Sequence, residues 1–332
     1  MTARAKLRLA LAGVVVATLV LATLTWALLN NELYSASGFV KQYLSALSRQ
    51  DAASALAMPG VTDGLPPDAP TALLRSSALG ELRNVTVTGT RSAGENTIVS
   101  TSFVAGGMAA STDFVLKPNG RTFGIFEAWA FAERPLSTIA VTVAHGVQFQ
   151  VGSSGVIDLR TTGAQGITDW GGTQSFVVFA PMTYAFSLDT TKLAAAPTHV
   201  ITTSPAQTGS VTVNVQPTPA FSEAVQKELN SYLDECVTQH VLQPSGCPIG
   251  YQTGNRIVGE PTWTMVDYPV VNVTAGTSSW VVRKAVGHVR ITGEIQSLYD
   301  GSVSKLDKVI AFTTNLDIVV RPDGSLSMTI VN

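Results

Sequence analysis

The chain has 332 residues, 13% of them charged, and a formal net charge of −2. That length exceeds one typical domain and allows substantial apolar cores. The near-neutral balance leaves no basic footprint, which excludes the ordinary nucleic-acid binders, and a composition rich in Thr, Ser, Val and Ala suits twisted sheets better than charged helical bundles.

Residues 1–8 carry Arg4, Lys6 and Arg8 and no acid, and residues 9–29, LALAGVVVATLVLATLTWALL, carry no charge at all. At about 1.5 Å per residue such a run spans about 30 Å, the hydrocarbon thickness of a bilayer, and the preceding cations orient the N-terminus to the cytoplasm. The run is longer than the apolar part of a cleaved signal peptide and ends in bulky residues; Ser35-Ala36-Ser37 is the weak cleavage alternative. No cysteine near its end offers a lipid-attachment site. The expectation is a cytoplasmic tail at 1–8, an uncleaved transmembrane helix at 9–29, and an extracytoplasmic remainder in the cell membrane.

Phe39, Val40, Tyr43, Leu44 and Leu47 then recur at helical spacing, with Ser37 as the expected N-cap and Asp51 at the first interruption. Strands are expected at 83–89 and 96–103, followed by a hairpin at DFVLKPNG, residues 113–120. Residues 135–219 have no helical period and show short alternating runs separated by Gly146, Gly152, Gly155, Pro181 and Gly209, which predicts a small antiparallel β-sandwich. A second helical pattern follows at Val225, Leu229, Tyr232, Leu233 and Cys236, with Ser222 as expected N-cap. Strands are read at 262–274 and 279–297, and a second hairpin at DIVVRPDG, residues 317–324.

Helix, strands and a closely similar hairpin thus occur twice in the same order, which predicts one shared fold for residues 36–132 and 220–332. The predicted fold class is α+β and all-β multidomain: one N-terminal transmembrane helix, then two helix-on-curved-antiparallel-sheet domains, 36–132 and 220–332, flanking the sandwich at 135–219. On the first helix in particular, FVKQYLSALSRQDAASAL at 39–56, the chain resembles the cystatin-like and nuclear-transport-factor-2-like domains. In its whole layout it resembles single-pass envelope proteins of Gram-positive, actinobacterial-type bacteria and is distantly similar to TcaA-type proteins, though without the zinc ribbon that precedes the helix there. The resemblance implies an extracytoplasmic role in the envelope.

Cys236 and Cys247 are 11 apart in a segment expected to be translocated, a spacing that reads as a disulfide tying a helix end to the following loop. The competing metal site would recruit His240, but structural zinc wants four ligands and three are nearby. His145, in Ala-His-Gly, reads as a solvated hairpin turn, and Gly171-Gly172 as a turn or bulge rather than a phosphate cradle. No hydrolase elbow, zincin, Walker or dinucleotide motif is present. The best ligand-site candidates are Trp263, Asp267, Tyr268, Trp280 and His288, as polar groups beside aromatics that could line a pocket; the competing reading makes the tryptophans core packing and Asp267 a loop end. No cofactor, metal or catalytic residue is expected, and no nucleic acid. The function expected is a membrane-anchored, non-catalytic binding protein whose partner is another envelope protein or a cell-wall polymer. The alternative is a small-ligand receptor or enzyme using a pocket in the C-terminal α+β domain.

Overall fold

The computed structural model describes residues 34–122, 124, 126–163, 165–321 and 324–331, together with Thr18, Val20 and Leu21. Helix α1 (Ala36–Ser48) starts two residues earlier than expected, because Ser35 rather than Ser37 caps it: the Ser35 hydroxyl accepts from Gly38 N at 3.0 Å. Gln50, at φ +57°, ends that run, and Asp51 accepts from Ser54 N at 3.0 Å to cap the short α2 (Ala52–Leu56). Helix α3 (Pro219–Val237) is capped by Thr218, whose hydroxyl accepts from Phe221 N at 3.2 Å, so the expected cap Ser222 lies inside the first turn. Pro219 fits the first helical position because the N–H it lacks would have had no helical partner there.

Strands β1 (Leu82–Ala93), β2 (Asn96–Ala105), β3 (Met108–Thr122) and β4 (Phe126–Phe131) form an antiparallel meander in chain order. In the middle of the chain β5 (Leu136–Ala144) lies between β8 (Gly171–Phe179) and β11 (Thr208–Asn214). A second sheet runs β12 (Gln216–Pro217), β10 (Leu193–Thr202), β9 (Met182–Asp189), β6 (Gln148–Val151), β7 (Ile157–Asp158). The expected all-antiparallel pairing fails at one place: β11 runs parallel to β5, Val211 opposite Val141. The C-terminal sheet orders β13 (Arg256–Asp267), β15 (Trp280–Gln296), β16 (Val303–Val320) and β17 (Leu326–Ile330), with β14 (Thr274–Ala275) pairing β15.

These elements correct the predicted fold class. The protein is mostly β, its described α-helices are few, and the expected arrangement of two helix-on-sheet domains flanking a sandwich is not the one found. The helix periods were read as the organising layer of each unit, whereas the strands, up to 18 residues long, supply most of the ordered chain. Buried residues from all three stretches form one continuous apolar cluster, from Val40 through Phe176 to Trp280 and Leu316.

The membrane anchor and its cell-membrane location are corrected as well. No helix among the described residues is long and apolar enough to cross a membrane. The longest, α3, has 19 residues but carries Glu223, Lys227, Glu228, Asp234 and Glu235, each costly to place in hydrocarbon. Residues 9–29 lie outside the described residues except for Thr18, Val20 and Leu21.

The paired hairpin motif does not sit equivalently in its two occurrences. Pro118 lies within β3 opposite Trp129, and the chain reverses only after Thr122, which faces Phe126. In the second copy the reversal falls inside the motif: Val320 faces Leu326, Gly324 N donates to Arg321 O at 2.9 Å, and Arg321 N donates to Ser325 O at 2.9 Å. Pro322 and Asp323 are outside the described residues. The first copy instead spends its glycine, Gly120 at φ +83°, where the β3–β4 register shifts between Pro118 and Arg121.

Main-chain and side-chain contacts bind the first meander to the middle sheets. Gly80 N donates to Thr183 O at 2.9 Å, and a Cβ at Gly80 would lie 2.5 Å from that same carbonyl, so only glycine permits the approach. The buried Tyr43 hydroxyl lies within hydrogen-bonding distance of Pro135 O (2.9 Å) and Ala180 O (3.1 Å), bridging α1 to the start of the middle stretch and to its β8–β9 connection. Burial, and then the neighbouring Tyr184, push the Tyr43 phenol well above its ordinary range, and burial does the same to Tyr184. Tyr43→Phe is expected to cost about 1–3 kcal/mol, since it removes the hydroxyl donor at Ala180 O, while Pro135 O keeps its bond from Ala180 N; urea denaturation measures it. Both phenols titrate near 10 in the unfolded chain. Because their folded values are raised, their contribution is fully present below about pH 10 and is lost as the pH climbs beyond it, which denaturation at stepped alkaline pH will show.

Candidate functional site

The five predicted site residues do not converge. Asp267 ends β13 and faces His288 across the ladder, with His288 Nδ1 3.0 Å from Oδ1 and 3.1 Å from Oδ2; both side chains are exposed. Tyr268 turns toward α3 instead, its hydroxyl donating to Asp234, and that hydrogen bond holds the phenol above its ordinary value. Trp263 is buried and its Nε1 donates to Val241 O at 2.8 Å, clamping the loop that follows α3. Trp280 is buried at the far end of the sheet, where β15 begins.

The disulfide is present. Cys236, in the last turn of α3, is joined to Cys247 in the segment 238–255, which has neither helix nor strand. His240 is committed elsewhere, with Nδ1 3.2 Å from Pro261 O. Among the described residues no three His, Cys, Asp or Glu side chains are grouped to hold a metal.

The cavity with the most distinctive chemistry, about 420 Å³, lies between the middle sheets and the C-terminal sheet, not within the C-terminal segment. Of the five predicted residues only Trp280 lines it. Its aromatic wall is a cluster: Trp170 and Trp280 have ring centroids 5.2 Å apart at 73°, His145 stands 5.4 Å from Trp170 and 6.0 Å from Trp280, and Phe221 of α3 closes against Trp280 at 6.0 Å. Edge-to-face contacts of this kind fix ring orientation beyond simple area burial.

His145 thus corrects the reading of a solvated hairpin turn. It is half-buried at φ +63°, at the corner where the chain leaves β5 in one sheet to enter β6 in the other, and its Nδ1 is buried with no hydrogen-bond partner. Gly171 and Gly172 are a close-packing device beside it. A Cβ on Gly171 would lie 2.5 Å from Val143 O, and one on Gly172 would lie 2.3 Å from the Ile167 side chain. Their smallness lets the Trp170 turn fold down onto β5.

Among the described residues three cations and one carboxylate line the cleft: Arg160, Lys192, Arg321 and Asp169. Arg160 is doubly engaged, with Nη2 2.6 Å from Asp158 Oδ2 and Nη1 3.0 Å from Asp169 Oδ1, and the Asp158 hydrogen bond raises its already high value. Burial pushes Asp158 up, but hydrogen bonds from Arg160 outweigh it and leave the carboxyl below its ordinary range. Lys192 Nζ donates to Gly324 O, and Arg321 Nη2 donates to Ser327 Oγ at 3.1 Å. Sequence reasoning missed Trp170, Lys192 and Arg321. An aromatic in the Asp-Trp-Gly-Gly turn was a usable signal for the first; nothing local points to the two cations, which are 129 residues apart.

No protein-family model matches the chain, and no curated protein sequence does. Function is therefore read from geometry.

Trp280→Ala is expected to destabilise the protein by about 3–5 kcal/mol, the range for emptying a buried aromatic site, and Trp170→Ala by distinctly less because that ring is only half-buried; denaturant midpoints compare the two. Reducing the disulfide should cost about 2–3 kcal/mol through the entropy of an opened short loop, seen as a lower midpoint in reductant.

Proposed function

We propose that the protein is a non-catalytic binding protein that holds a ring of a glycan polymer against the aromatic wall of the cleft between the middle and C-terminal sheets. The observation that carries this reading is the Trp170–Trp280–His145 cluster. Trp280 and His145 brace Trp170, which is half-buried and lines the opening. A rigid indole presented this way offers an apolar platform for the flat face of a pyranose at little entropic cost. Around it the Gln148 amide and the Ser278 and Ser279 hydroxyls supply the few polar contacts that orient a ligand in such a cleft.

Asp267 and His288 are the one carboxylate–imidazole pair among the described residues, and a catalytic reading based on them has little support. Both side chains are exposed, and no hydroxyl or thiol among the described residues hydrogen-bonds the imidazole, so neither a nucleophile nor exclusion of water supports it.

Titration with a neutral N-acetylglucosamine tetrasaccharide, followed by tryptophan fluorescence and calorimetry, tests the proposal. The intact protein should bind and its emission should shift, while Trp170→Ala should raise Kd about tenfold or more, equivalent to about 1.4 kcal/mol, and Asp267→Asn should leave Kd unchanged. Failure of neutral and charged glycans alike to bind, or unaltered binding by Trp170→Ala, would count against the cleft.

A further inference from the structure

We infer that the cleft selects anionic saccharides, with Lys192 and Arg321 as the residues that read the negative charge; this rests on the reading that the cleft holds a sugar ring. The charge distribution is the starting point. In a chain with 13% charged residues and a net charge of −2, the described residues lining this one cleft include three cations and one carboxylate. Like charges brought together cost energy unless something of opposite sign offsets it.

The three cations are not equivalent. Arg160 is neutralised by Asp158 and Asp169, and Asp169, the only acid among the described lining residues, is thereby used as well. Lys192 and Arg321 have no carboxylate partner among the described residues. They are also held together. Lys192, in the β9–β10 turn, reaches across the cleft to the carbonyl of Gly324, and Gly324 N donates to Arg321 O at 2.9 Å, so both cations stand on one turn contact between the middle and C-terminal sheets. The β9–β10 turn is itself fastened, since Thr218 N donates to Lys192 O at 2.9 Å and the Thr218 hydroxyl donates to Thr191 O at 2.6 Å.

The half-buried lysine and the exposed arginine, whose guanidinium bonds Ser327 Oγ, can each bond an anion, the arginine with a planar fork that suits carboxylate or phosphate oxygens. With a sugar ring on Trp170, an acidic substituent would meet the two cations on the same rim. A ring with many hydroxyls and one negative group therefore satisfies more of the lining than a neutral sugar does. Carboxylated sugars and sugar phosphates share this chemistry.

The test compares three probes on the full chain at constant ionic strength: the neutral N-acetylglucosamine tetrasaccharide, a galacturonic acid tetrasaccharide, and a phosphorylated oligosaccharide of similar length. At least one anionic probe should bind about tenfold tighter than the neutral one, and whichever anion leads identifies the source. Arg321→Gln and Lys192→Gln should each remove most of that preference, so that the anionic and neutral probes bind the variant within about twofold of each other. Because Lys192→Gln also breaks a contact between segments, melting curves accompany both variants, and Arg321→Gln decides the matter if the lysine variant unfolds. Equal affinity for neutral and anionic probes, or a preference that survives Arg321→Gln in folded protein, overturns the inference and leaves the glycan cleft standing. Absence of binding by all three probes overturns both.

Discussion

Burial of Trp280 is the constraint on which the arrangement of this protein turns. The residue stands at the first position of β15, and its ring is enclosed by Phe221 from α3, Trp170 from the turn before β8 and His145 from the corner between β5 and β6. One side chain therefore ties the C-terminal helix and sheet to both sheets of the middle stretch. An indole of this size contributes several kcal/mol when buried, and here it also sets the distance between the two sheet systems, leaving the cleft beside it.

The same logic operates at the other junction. Tyr43 places a hydroxyl within reach of Pro135 O and Ala180 O, and Gly80 brings its own backbone against Thr183, so the first meander is seated on the middle sheets through both side-chain and main-chain contacts. At each junction an aromatic side chain packs against the facing segment, with polar contacts at the first and other rings at the second; at the first Gly80 permits the close backbone approach, while Gly171 lets β8 approach β5 within the middle stretch. The binding proposal follows from what lines the second junction, which is open on one side and carries the Trp170–Trp280–His145 cluster beside its charged residues.

Much of the local structure was legible in the residues. Alternating apolar positions marked the strands of the middle stretch, because period-two alternation is what a half-buried sheet requires, and the 11-residue cysteine spacing marked the disulfide that is found. Helix positions were legible and their caps were not. Ser35 and Thr218 each win over a serine two or four residues further on because they adopt extended backbone angles that let the hydroxyl turn back onto the first free N–H groups. Composition alone cannot report that dihedral choice. The matched hairpin motif misled for a related reason: Pro-Asn-Gly and Pro-Asp-Gly are both compatible with a turn, but strand pairing put the first motif inside β3 and the second at a reversal.

What the sequence by itself determined is the inventory: a chain rich in Thr, Ser and Val with little charge, many short alternating segments, one disulfide, and aromatic residues spaced through the strands. Only the tertiary structure decided which of these meet. Asp267 and His288 pair on an exposed ladder away from the aromatics, while His145, Trp170 and Trp280, separated by up to 135 positions, come into ring contact. The physical reason is that periodicity reports which face of its own element a side chain occupies, whereas a binding site forms where faces of different elements meet. That meeting is set by how large side chains such as Trp280 pack across a junction, a long-range contact that local spacing does not encode.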